Sequence, residues 1–195
     1  MRITLLTNEK TAPMGSFYDA AAQADLAASL DRSGVDLKVA DVNSVSELEA
    51  ALVAGSDLFW PNIYTFKDAS GVDHWPVESL QRYGLPFVGP GKDGLTNMVH
   101  KSLCQSIMAA YDVPIPKFVA FETGAFDAAA LDGLQYPLIV KPVADCASKG
   151  IFADSISYSV DDVARNAQRV YAGLQQGVIV EEFLSGTELT VGVVS

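Results

Sequence analysis

Cysteine is nearly absent: Cys104 and Cys146 are the only two in 195 residues. They form neither a metal-ligand spacing nor a disulfide framework, and in a cytosolic chain they are expected to be free thiols. Histidine is as scarce, and the isolated His74 and His100 read as surface or capping residues rather than a metal site. No window approaches the roughly 20 apolar residues of a membrane span. The first residues, MRITLLTNEK, turn polar too soon for a secretory leader. The expected location is therefore cytoplasmic. Positive charge is also in short supply, with 13 Lys and Arg against 24 Asp and Glu and a formal net charge of −11. Such a surface repels nucleic acid and anionic membrane, and neither is an expected partner. It also makes Lys101, Lys141 and Lys149 more telling, because an anionic ligand must find local positive charge against the global field.

What the chain does have is an ordinary globular composition, 49% hydrophobic and 19% charged. The length suits one large domain or two small ones. Residues 1–88 alternate between strand-like and helix-like patterns. Ile3–Leu6, Val35–Ala40, Asp57–Trp60 and Leu85–Val88 read as strands. Between them lie a helix with apolar positions at Phe17, Ala21, Ala24 and Ala28, and a helix opened by the capping-box pair Ser44 and Glu47. A third helix is expected to be capped by Asp73, with Pro76 in its first turn. Strands alternating with helices imply right-handed βαβ units and a doubly wound parallel sheet. The first turn, TNEKTAPMGS, lacks the G-x-G-x-x-G spacing of a dinucleotide site, so the shape is Rossmann-like without the cofactor fingerprint.

Gly89-Pro90-Gly91 marks a boundary, dividing the chain into domains 1–90 and 91–195. Beyond it Thr96–Tyr111 reads as one helix, and VPIP (113–116) as a rigid linker. Lys117–Phe121, Leu138–Lys141, Gly150–Ile156, Val178–Phe183 and Leu189–Val194 read as strands. One helix is expected near Phe126–Leu131 and another from Ser159 and Asp162 to Tyr171. The second half is thus an α+β lobe with a largely antiparallel sheet.

Within it, YPLIVKPVADCASKG (136–150) runs an apolar strand into a Lys-Pro pair and a small-residue loop, and VIVEEFLSGTE (178–188) ends a second strand on paired carboxylates. A nucleoside triphosphate pocket needs these parts. Lysine neutralises phosphate, small loop residues let backbone N–H groups approach it, and a carboxylate accepts from a purine amine. Each residue also has a plainer reading. Lys141 could be a solvated strand-end cation, Lys101 a helix-face cation, Glu188 a turn carboxylate and Cys146 a loop filler. Lys149 could add a cation over phosphate or simply be solvated.

The ordered segments FVGPGKDGLTNMVHK (87–101), VPIPKFVAF (113–121), YPLIVKP (136–142), ADCASKGI (144–151) and VIVEEFLSGTELTVGV (178–193) resemble the ATP-grasp superfamily, most closely its D-alanine–D-alanine ligase-like branch. The resemblance implies a Rossmann-like pre-ATP-grasp substrate domain followed by the first ATP-grasp lobe. It implies an ATP- and Mg²⁺-dependent, carbon–nitrogen bond-forming ligase acting on a small amino acid or peptide. By the same resemblance Lys101 and Lys141 are the ATP lysines. Ala144–Gly150, including Ala147, Ser148, Lys149 and Gly150, is the loop over the β- and γ-phosphates. Glu181 accepts from the adenine amine, the backbone of Glu182, Phe183 and Leu184 lines the purine, and Glu188 holds the ribose.

Two stretches depart from the branch. TAPMGSFYD (11–19) and FWPNIYTFKD (59–68) lack its substrate-binding motifs, and Cys146 and Ala147 stand where it prefers Gly and Ser. The substrate is therefore open between D-alanine, another amino acid and a peptide. No D-x-E-x-N-like metal cluster occurs, so the metal-holding second lobe is expected to lie outside this chain, as part of a longer one or on a partner. A non-catalytic or split nucleotide-binding module is the alternative to a ligase, and a plain Rossmann-like binding domain a third reading. The oligomeric state is open, a homodimer among the options.

Overall fold

The computed structural model describes residues 1–8, 20–122, 126–144 and 148–191. The chain divides into two compact units, Met1–Asn97 and Met98–Ser195. No helix among the described residues is long and apolar enough to cross a membrane.

The first unit is built on a three-stranded parallel sheet. Its elements are β1 (Arg2–Thr7), α1 (Ala20–Arg32), β2 (Asp36–Asp41), α2 (Val45–Val53) and β3 (Leu58–Pro61), with strand order β2-β1-β3. Central β1 is buried from Ile3 to Thr7, as a strand covered on both faces must be. The N-terminus of α2 is fixed as the capping-box pattern anticipates: Ser44 Oγ accepts from Glu47 N at 3.2 Å, and Glu47 Oε2 accepts from Asn43 N at 2.8 Å. That orientation turns Leu48, Ala51 and Leu52 onto a core with Leu6, Val42, Phe59, Ile63, Phe66 and Leu80.

Two expectations for this unit are corrected. Leu85–Val88 is not a strand but a single parallel bridge between Phe87 and Phe59. Pro86 accepts from Phe59 N at 2.9 Å but has no N–H to return, so the ladder cannot extend. Nor does Asp73 cap a helix. It pairs with Lys67 across a hairpin of β4 (Phe66–Lys67) and β5 (Asp73–His74), and Trp75 is the N-cap of α3 (Pro76–Arg82). Asp68 organises the hairpin turn by accepting from Ser70 N, Ser70 Oγ and Val72 N. Those bonds and the one with His74 hold its carboxyl well below the usual carboxylate range.

The second unit contains α5 (Lys101–Ala110), β6 (Phe118–Phe121), a 3₁₀ turn (Ala128–Leu131), β7 (Leu138–Pro142), β8 (Ile156–Ser157), α6 (Val160–Leu174) and β9 (Val178–Glu182), preceded by α4 (Lys92–Val99). Its antiparallel sheet has the order β6-β9-β7-β8. The single helix expected over 96–111 is two helices, because the backbone leaves helical geometry at His100 to bridge Ala144, and Lys101 N donates to Val143 O at 2.8 Å. The helix expected near 126–131 is only the 3₁₀ turn. Ser159 Oγ caps α6 by accepting from Asp162 N at 3.2 Å. The helix then packs Val163, Ala167 and Val170 on Leu138, Val140, Val178 and Val180.

Gly150–Ile156 was expected as a strand and forms mostly turn. Phe152 N donates to Ser155 Oγ, and the Asn166 amide donates to Asp154 O, so these polar groups are satisfied locally and by α6. Only Ile156–Ser157 joins the sheet. Of the strand expected at Leu189–Val194, residues 189–191 are exposed coil and the remainder lies outside the described residues.

Candidate nucleotide site

Register on the antiparallel sheet sorts side chains by face. Ile139 lies opposite Glu181, and Lys141 opposite Ile179. These four share one face, while Leu138, Val140, Val178 and Val180 point the other way into the core under α6. Lys141 and Glu181 are diagonal neighbours, a separation that long side chains bridge. They form an ion pair between the Lys141 ammonium and Glu181 Oε1. Glu181 Oε2 accepts from the Gln105 amide, reaching down from α5.

Burial gives the cluster its character. Glu181 is 4% exposed and Gln105 9%, whereas the Lys141 side chain is 26% exposed. A carboxylate so buried is tolerated only with donors on it, and it has both an ammonium and an amide. Gln105 Oε1 is buried without a hydrogen-bond partner among the described residues. Sequence reasoning missed Gln105. Its signal was helical spacing, four residues after Lys101 and so on the same face of α5.

The remaining candidate residues lie on several elements of the second unit. Lys101 opens α5, its backbone tied to Val143 just past the end of β7. Ala147 and Cys146 lie outside the described residues. At the end of the loop, Ser148 adopts φ 57° and Gly150 φ 73°, and Ser148 O accepts from Ile151 N. A Cβ on Gly150 would lie 2.6 Å from Pro142 Cγ and 2.8 Å from Leu174 Cδ1. Glycine is required there for both conformation and space. The start of the loop is anchored as well: Val143 N donates to Gly177 O and Ala144 N to Gln176 Oε1, both at 3.0 Å. Lys149 is exposed.

Beyond Glu181 the chain turns outward. Glu182 lies on the opposite face, where its Oε1 accepts from Gln135 N at 3.0 Å. The backbone N–H groups of Glu182 and Phe183 donate to Lys117 O and Pro137 O. Phe183 and Leu184 are exposed, and Glu188 stands in exposed coil apart from the Lys141–Glu181–Gln105 contacts. Among the described residues no group of three or more His, Cys, Asp or Glu is placed to hold a metal ion.

A parallel-sheet unit followed by an antiparallel lobe, with a lysine and a buried glutamate on adjacent strands, is the architecture of the ATP-grasp class. The family described as D-ala D-ala ligase C-terminus matches residues 107–195. A D-alanine–D-alanine ligase of Cupriavidus necator is 31% identical over 170 residues, covering 86% of this chain and 49% of that protein. A phosphoribosylamine–glycine ligase of Lactococcus lactis is 28% identical over 114 residues, 58% of this chain and 27% of that one. The D-alanine–D-alanine ligase of Bacillus anthracis superposes over 95% of this chain and 58% of its own length, with a TM-score of 0.71 at 18% identity. The same enzyme complexed with ATP gives 0.70. The chain is ATP-grasp-like and, within that class, D-alanine–D-alanine ligase-like. It spans about a quarter to a half of the curated relatives it matches.

Proposed function

We propose that the protein is an ATP-dependent carboxylate–amine ligase, working on an amino acid or small peptide through an acyl phosphate. The observation that carries this is the buried Glu181 carboxylate, held by Lys141 and Gln105 beside the start of the small-residue loop. Each carboxylate oxygen retains a second lone pair, so Glu181 can accept from a purine amine without losing Gln105. Lys141, the partly exposed member, is the one able to turn toward phosphate. Lys101 is the second cation of the proposal, Gly150 closes the loop's far end, and Glu188 is the ribose ligand.

These groups fit a nucleotide: an acceptor for the base, cations for the phosphates, and loop ends built for close backbone approach. Magnesium belongs to the proposal as countercharge on the phosphates, but the described residues form no cage for it. In the reaction the substrate carboxylate attacks the terminal phosphorus and ADP leaves. The amine then attacks the acyl carbon, inorganic phosphate departs, and the amine gives up a proton. The side chains bind, orient and offset charge, keeping water from the acyl phosphate. D-alanine, another amino acid and a peptide remain the candidate acids.

The full protein, given ATP, Mg²⁺ and a panel of amino acids, should release ADP only with a matching acid and amine. Lys141→Ala should abolish that release. Tight ATP binding without ADP release for any pair would favour a non-catalytic nucleotide-binding module instead.

A further inference from the structure

Gln105 is a glutamine where stability alone calls for none. Its amide oxygen is buried and has no hydrogen-bond partner among the described residues, a cost that an apolar side chain of the same size would spare. What the residue supplies is its N–H donor on Glu181 Oε2. With the nitrogen turned away, two acceptors would face each other.

In a nucleotide site that donor matters for a physical reason. Lys141 cannot serve a phosphate and keep its full contact with Glu181 Oε1. As it turns away, a carboxylate only 4% exposed loses its ionic partner. A buried carboxylate is tolerated only with donors on its oxygens, and the Gln105 amide is the donor that stays. Held in place by that amide, the carboxylate presents an acceptor, which suits a purine amine and opposes a carbonyl oxygen. Unlike the ammonium, the uncharged amide is not drawn away by phosphate.

We propose that Gln105 is a positioning residue for base recognition: it holds Glu181 as an acceptor after Lys141 turns to phosphate, and so sets a preference for a 6-amino purine over a 6-oxo purine. The inference rests on the ATP-binding reading and adds to it a specificity-determining residue on α5, outside the two strands that carry the ion pair.

The test compares ATP with ITP, which differ at the base by an amine against a carbonyl, in equilibrium binding to the full protein. The wild type should prefer ATP by roughly tenfold or more. Gln105→Met, similar in volume but without a donor, should bring the ratio toward one. Gln105→Lys, which restores a donor of similar reach, should retain the preference. Thermal unfolding of each variant confirms folding, and if Gln105→Met does not fold, Gln105→Asn, one methylene too short, carries the same expectation. An unchanged ratio in the folded Met or Asn variant overturns the proposal, as does equal weakening of both nucleotides, the mark of packing alone. A wild type that binds ATP and ITP equally overturns it while the ligase reading stands. Binding of neither nucleotide removes both.

Discussion

The two faces of the β7–β9 ribbon share a backbone and differ in everything else. On one face Leu138, Val140, Val178 and Val180 are at most 3% exposed and lie under α6. On the other, two positions of the same strands carry an ammonium and a carboxylate. The apolar face needs only bulk and shape, and it supplies cohesion. The polar face needs particular partners at particular atoms, because a buried charge is tolerated only when each donor is in place. Stability and the proposed recognition are thereby separated by the period-two alternation of one pair of strands.

Breaking the apolar face should have the largest effect. Val180→Asp places an unpaired charge where exposure is 0%. It should cost about 4 kcal/mol or more, enough to unfold the second unit, as measured by urea denaturation. On the polar face, Lys141→Met strips Glu181 of its ionic partner. Because the lysine is partly exposed and Gln105 remains, the loss should be about 2 kcal/mol, below the usual range for a buried pair. Adding Glu181→Leu and Gln105→Leu should recover most of that stability while ATP binding stays absent. A triple variant less stable than the single one would mean that the two faces do not divide their tasks this way.

A smaller effect is expected from Gly150→Ala, which combines positive φ with crowding against Pro142 and Leu174. It should cost about 1–2 kcal/mol in chemical denaturation and weaken ATP more than it weakens the fold. The smallest effect concerns pH. Arg165 and Ser159 hold the Asp162 carboxyl below its ordinary 3.8, and Arg169 lowers Asp154 in the same way. Groups depressed in the folded state add stability that is complete above the unfolded value and lost as pH falls through the folded one. Melting temperature should therefore fall with acidification below about pH 4, and less steeply in the double variant Asp154→Asn, Asp162→Asn.

What could be read from the sequence was local. The alternation in LIVK and VIVEE, the caps at Ser44 and Ser159, and the lysine delivered to a small-residue loop all rest on neighbours a few residues apart. What could not be read depends on distant contacts. The helix break at His100 comes from pairing with Ala144, and Gln105 acquires its role only from Glu181, 76 positions away. Between these lies the missing fourth strand, where Pro86 already announces that no ladder can continue. The turn at 148–155 was misread because Ile151, Phe152 and Ala153 form a short apolar run. Gly150 and the side-chain bonds of Ser155 and Asn166 outweigh that run.

Glu181 sits on β9, an inner strand paired with β6 on one side and β7 on the other. Its Cα is consequently among the hardest points of the second unit to displace, and its peptide hydrogens should exchange with solvent only on global unfolding. Descendants of this sequence that change their nucleotide would find little freedom in moving the glutamate itself. On the proposed role of Gln105, the accessible route runs through α5, where a substitution at one helical position would alter what the same fixed carboxylate accepts.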